Sequence, residues 1–201
     1  PYIDRSFFDS KPELIKFLRS KEPNLFGDTN VKLLDNSPNL YRVFVWNRGL
    51  MYQPFKNYAG YLYDQKPFYR ILDFCAENIP MQFRLRSFWG YDTLVSARLN
   101  NFRTAILKGK LKLLDIAAIK YIITCAALPQ LTVYEKINDI LIYKNDNALP
   151  IFYCVNNILV KKENEVLDII SADTFDVKNT VVLEIEDNDE NFYGSENKNI
   201  S

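Results

Sequence analysis

The apolar positions of this chain change period several times, and each change marks an element. After Ser10, Pro12 and Glu13, the residues Leu14, Phe17 and Leu18 fall on one helical face. Ser10 is read as the cap, Pro12 as a first-turn residue and Glu13 as the closing member of a capping box. A polar stretch, "KEPNLFGDTN", follows. "YRVFVW" (Tyr41–Trp46) is then a continuous run of β-branched and aromatic residues, as in a buried strand. Residues 47–66, with Gly49, Pro54, Gly60 and several aromatics, read as a long ordered surface loop, a kind of segment that is often functional. Phe68, Ile71, Leu72 and Cys75 share one face of a helix from about Pro67 to Asn78, ended by Pro80.

"MQFRLRS" alternates, with Met81, Phe83 and Leu85 on one side and Gln82, Arg84 and Arg86 on the other. That predicts a half-buried strand with a basic outer stripe. A short helix around Lys110–Ala118 leads into the strand "IKYIIT" (Ile119–Thr124). "LTVYEKI" (Leu131–Ile137) reads as an edge strand. "DILIYKN" and "PIFYCVN" read as two more, joined by "NDNAL". Val166, Ile169 and Ile170 mark a helix, and "TVVLEIE" (Thr180–Glu186) is a last strand. Strands interspersed with helices, some of them apolar throughout, predict an α/β (or α+β) fold. The expected architecture is one mixed β-sheet with helices packed on it, in a single domain over residues 1–186. Residues 187–201 form a polar tail, expected to be disordered. The acidic start of that tail imitates a calcium loop, but Phe192 and Lys198 stand where glycine and glutamate are needed.

One corner combines sharp geometry with polar chemistry. In "SFWGYDTLVSARLNNFRTAI" (Ser87–Ile106), Gly90 permits a tight turn and Asp92 suits the cap of the next helix. Val95, Leu99, Phe102 and Ile106 make that helix's apolar stripe, flanked by Arg98 and Arg103. Lys108 and Gly109 close it. The structural reading is a capped strand-to-helix junction. The functional reading adds a ligand-facing patch of Arg86, Trp89, Tyr91, Asp92 and Arg98, because polar ligands often sit at such corners.

Composition narrows the chemistry. Lysine plus arginine and aspartate plus glutamate number 25 each, so no global field draws the 201-residue chain to nucleic acid. There is no histidine, which removes histidine-based triads and histidine-ligated zinc. Cys75, Cys125 and Cys154 form no paired motif and stand in apolar contexts, so buried free thiols are expected. Asp64, Asp73, Glu77, Asp92 and Asp115 are candidate acids, but no motif places two of them together. No catalytic residue, metal site or cofactor is assigned. No apolar run reaches the ~20 residues that span a bilayer, and no signal peptide opens the chain. The start at Pro1 is read as that of a processed or excised piece.

Ordered blocks add a resemblance. "GYDTLVSARLNNF", "KLLDIAAIKYIIT", "ILIYKNDNALPIFYCVNN" and "TFDVKNTVVLE" resemble, in order and spacing, the extracytoplasmic C-terminal region of bacterial YfhO-like multi-pass membrane proteins, which are related to GT-C glycosyltransferases. Thr93 stands where that family usually has proline, and Ile151 where it has arginine. The resemblance implies a parent enzyme that transfers sugar from a polyprenyl-phosphate donor to an envelope acceptor, its reactive carboxylate lying in membrane loops. This part would be a non-catalytic domain on the extracytoplasmic face, joined to transmembrane segments. It would contact acceptor glycan or brace the membrane part. The alternative reading is a soluble carbohydrate-binding or protein-interaction module, using the chain's aromatic side chains for stacking.

Overall fold

The computed structural model describes residues 11–27, 40–46, 66–75, 79–88 and 95–185. The loop over 47–65, the tail over 187–201, and Ser10, Asp64, Glu77, Trp89, Gly90, Tyr91 and Asp92 lie outside the described residues.

Four strands form a mixed sheet in the order β1 (Arg42–Val45), β2 (Ile119–Thr124), β4 (Ile140–Lys144), β3 (Val133–Ile137). β1 and β2 run parallel, and the other pairings are antiparallel. The alternation of side chains in β1 feeds two cores. Val43 and Val45 join one, whereas Phe44 and Trp46 join the other. Tyr121 and Ile123 of β2, with Ile140 and Ile142 of β4, extend the first core; Ile122 and Tyr143 extend the second. The register slips between Arg42 and Val43, which face Ile119 and Tyr121. Lys120 is the bulged residue, and the slip returns Ile119 to the same face as Ile122.

Helices cover both faces, as the apolar strands require. On the first lie α1 (Glu13–Lys21), through Leu14, Ile15 and Leu18, the 3-10 turn Pro23–Leu25, and the end of α2 (Lys66–Asp73) with Phe74 and Cys75. On the second lie α4 (Ala97–Leu107), through Ala105 and Ile106, and α5 (Leu113–Ile116), through Leu113 and Leu114. Each such aliphatic side chain contributes about 1.5–3 kcal/mol by leaving water. A parallel pair, β5 (Asn157–Lys162) and β6 (Thr180–Ile185), is joined by α6 (Glu163–Ser171). This unit rests on the second core through Leu167 and Ile170.

The α/β architecture with a mixed sheet agrees with the sequence, and several local expectations are corrected. Pro12 is the cap position of α1 rather than part of its first turn, and no side chain caps that helix. α2 stops at Asp73, before the left-handed backbone of Cys75. Pro80 starts an element instead of ending one: "MQFRLRS" is no strand. Residues Ile79–Gln82 form the short helix α3, where a proline lacking its N–H suits the first turn. Arg84 then turns at φ 55°. Met81, expected inward, is 75% exposed, whereas Phe83 and Leu85 are buried. The segment keeps only isolated bridges, Leu85 to Phe26 and Ser87 to Val43. "PIFYCVN" is also not a strand, since β5 begins at Asn157. The helix expected over Lys110–Ala118 is helical only across Leu113–Ile116. Of the thiols, Cys75 is buried, Cys125 half-buried and Cys154 exposed, and all three are free.

Candidate functional site

The two described members of the expected ligand patch are both held in structural contacts. Arg86 is half-buried, and its Nη1 donates to the carbonyls of Asn24 (2.9 Å) and Phe26 (2.7 Å). It clamps the 3-10 turn against the first core. Arg98 sits on α4 at the other layer. Its Nε donates to Glu163 Oε1 at 3.1 Å, and its Nη1 lies 2.5 Å from Glu184 Oε2. It ties α4 to the start of α6 and to β6. The structure therefore gives Arg86 and Arg98 separate anchoring roles. α4 starts at Ala97, where Ser96 Oγ accepts the Leu99 N–H at 3.2 Å. The cap expected at Asp92 is thus Ser96. Val95 and Leu99, expected on the buried stripe, are exposed; Phe102 is half-buried and Ile106 is buried.

Polar groups from four stretches of the chain knit the second layer together. Asn145 Nδ2 donates to Asp115 Oδ1 (2.8 Å) and to the Ile119 carbonyl (3.1 Å). The Leu149 N–H donates to the Asp115 carbonyl at 3.0 Å. Burial pushes the Asp115 carboxyl above its ordinary range, and the Asn145 hydrogen bond opposes that rise. Lys112 Nζ donates to three carbonyls, those of Ala172 (2.8 Å), Asp173 (2.8 Å) and Phe175 (2.5 Å). Lys110 pairs with Asp168 at 2.7 Å.

These bonds also fix a loop whose sequence reads as a strand. After β4, Ala148 and Leu149 are buried, and the Ile151 N–H donates to the Leu40 carbonyl at 2.9 Å. The loop then turns outward. Phe152 is 72% exposed and Tyr153 39% exposed. The chain is caught again where the N–H groups of Asn156 and Asn157 both donate to the Asn179 carbonyl. Adjacent aromatics on a loop tied at both ends are a preorganised contact surface, because little side-chain or backbone freedom is lost on binding. Such rings stack on the apolar faces of sugars or fill a partner's pocket. The signal in the sequence is the aromatic pair one residue after Leu149-Pro150, behind Ile151, which a strand-like composition conceals.

A second cluster gathers acids. Arg70 Nη1 pairs with Asp139 Oδ2 at 2.6 Å, and its guanidinium lies over the Phe74 ring. Burial and the nearby Asp139 raise the Asp73 carboxyl, while Arg70 lowers it. Burial also pushes the Cys75 thiol up, with Asp73 adding to the rise. This thiol is far from the thiolate form that nucleophilic chemistry needs. Among the described residues, no three His, Cys, Asp or Glu side chains converge on a metal position. No helix among them is long and apolar enough to cross a membrane.

No family model matches the chain, and neither a curated protein nor a solved structure matches it.

Proposed function

We propose that this chain is a non-catalytic extracytoplasmic domain of a multi-pass, glycosyltransferase-like membrane protein, and that it holds acceptor glycan of the cell envelope against Phe152 and Tyr153. The observation that carries the binding role is that loop, anchored at Leu149, Ile151 and Asn157 with its aromatic pair turned to solvent. The membrane context is supported by the order of the resembling blocks. Their polar residues Arg98, Lys112, Asp115 and Asn145 each join one block to another. That is the behaviour of residues that keep a scaffold, and it suits a domain whose parent performs its chemistry elsewhere.

The test is a titration of the chain with soluble oligosaccharides released from bacterial envelopes, followed by amide chemical shifts. Shifts centred on residues 151–155, lost in Phe152→Ala with folding intact, are the expected result. Saturating glycan without shifts there would overturn the binding role. The membrane context has its own test in the natural reading frame, which should encode several apolar segments of about 20 residues. A frame without them would select the other reading, a soluble carbohydrate-binding or protein-interaction module with the same aromatic surface.

A further inference from the structure

The β5–β6 pair is incomplete as a sheet. Its register places Ile158 beside Val181 and Val160 beside Leu183 on one face, and Leu159 beside Val182 on the other. Parallel strands that are apolar on both faces normally lie inside larger sheets. Here none of these six side chains is buried, and Leu183 is 40% exposed.

The strand edges of the fold differ in how they are protected. The outer edge of β1 is occupied, because the Val43 N–H donates to the Arg86 carbonyl and the Phe88 N–H to the Val43 carbonyl. β3 carries a register slip between Val133 and Glu135, and exposed Glu135 and Lys136. β5 ends in Lys161 and Lys162. Bulges and lysines are the usual means of discouraging edge pairing. β6 has neither. It runs in unbroken register from Thr180 to Ile185, contains no lysine, proline or glycine, and its one charge, Glu184, is engaged by Arg98. Among the described residues, the Thr180 N–H is taken by the Asp176 carbonyl at 3.0 Å, and no further backbone group pairs with the outer side of β6 at Val182 or Glu184.

We infer that the outer edge of β6 is a self-association surface, on which β6 of a second copy pairs antiparallel about a two-fold axis. The sequence of β6 favours its own copy as the occupant. With the axis at Leu183, the two Leu183 residues face each other across it, and Val182 faces Glu184 of the partner subunit, so that each pair lies on one face of the joined sheet. No like charges meet, so the pair carries no cross-strand repulsion. Each Glu184 keeps its own Arg98, and the lysines of each β5 fall at the far edges of the resulting four-stranded sheet. A two-fold contact of this kind closes on itself and leaves no bare β6 edge.

The experiment is sedimentation velocity of the chain from roughly 1 μM to roughly 500 μM, where mass action reveals a dimer. We expect a concentration-dependent dimer that Leu183→Lys weakens at least about tenfold, with the melting temperature unchanged at the lowest concentration, where both chains are monomeric. In parallel, amide exchange of the unaltered chain should show protection of residues 180–185 rising with concentration while residues 157–162 stay unchanged. That readout stands even if Leu183→Lys fails to fold. A monomer throughout, an open-ended oligomer, a dimer untouched by Leu183→Lys, or added protection away from β6 would each overturn the inference.

Discussion

Asn145 donates its side-chain amide to the Asp115 carboxylate at 2.8 Å, and so joins the end of β4 to α5. The same amide nitrogen reaches the Ile119 carbonyl at 3.1 Å, at the start of β2. Asn145→Ala removes both bonds, together with the one its Oδ1 accepts from the Asn147 N–H, and leaves a half-buried carboxylate without that donor. We expect a loss of about 1–3 kcal/mol near neutral pH, the cost of stranding such a group. The Asp115 carboxyl already titrates above its ordinary range, and without Asn145 it would rise further. The folded variant therefore holds its proton to higher pH than the unfolded chain. Its deficit relative to the unaltered protein should shrink on acidification through the Asp115 titration. Urea denaturation at neutral and mildly acidic pH measures both; a deficit that grows in acid would refute the account.

Lys112 makes a sharper prediction about where stability is lost. Its ammonium bridges the carbonyls of Ala172, Asp173 and Phe175, in the connection between α6 and β6. Lys112→Met keeps the aliphatic stem and deletes the three bonds. The expected cost is about 1–3 kcal/mol, concentrated in one unit. Amide exchange should accelerate over residues 157–185 and stay unchanged in β1 and β2, because none of the described side chains of β5, α6 and β6 is fully buried. Uniform acceleration across the chain would show that the unit is not separately anchored.

Ser96 offers a simple local check. Its hydroxyl accepts the Leu99 N–H at the start of α4, so Ser96→Ala should cost about 1 kcal/mol in thermal or chemical unfolding. An unchanged midpoint would mean that water satisfies the helix start equally well.

The elements legible in the sequence were those where burial and pattern agree. β1, β2 and β4 are apolar because helices cover both sides of their sheet, and "IKYIIT" or "YRVFVW" has few other readings. Alternation without that support misled. "MQFRLRS" has the period of a strand, but Pro80 directs a helical turn and Arg84 a left-handed one. "PIFYCVN" has strand composition, yet its aromatics face solvent. Asp92 and Ser96 are equally good caps on paper, and only the true first turn of α4 chooses between them. The site was less legible still. Arg86 and Arg98 look like free cations in the sequence, but their partners Asn24, Phe26, Glu163 and Glu184 are brought to them by the fold. Trp89, Tyr91 and Asp92 lie outside the described residues. Phe152 and Tyr153 are inconspicuous in the sequence because apolar side chains in a β-rich run do not announce which of them project outward.

The acidic pair beneath α2 sets a last prediction, one of opposite sign to the others. Asp73 is raised above its ordinary range by burial first and by Asp139 second, with Arg70 opposing. Arg70 is already engaged by Asp139 at 2.6 Å, so its charge only partly compensates Asp73. For a carboxyl that is raised on folding, the unfolded chain ionises first. Stability then falls as pH climbs from the ordinary aspartate range through the raised value, and the penalty persists above it. Asp73→Asn removes the penalty. The variant should melt above the unaltered protein at neutral pH by roughly 1–3 °C, since a carboxyl that keeps contact with water accounts for only a fraction of a kcal/mol. The two melting temperatures should converge as pH drops below the ordinary aspartate range. Calorimetry across that interval decides the balance: a variant that melts lower at neutral pH would show that the attraction of Arg70 outweighs burial and Asp139 together.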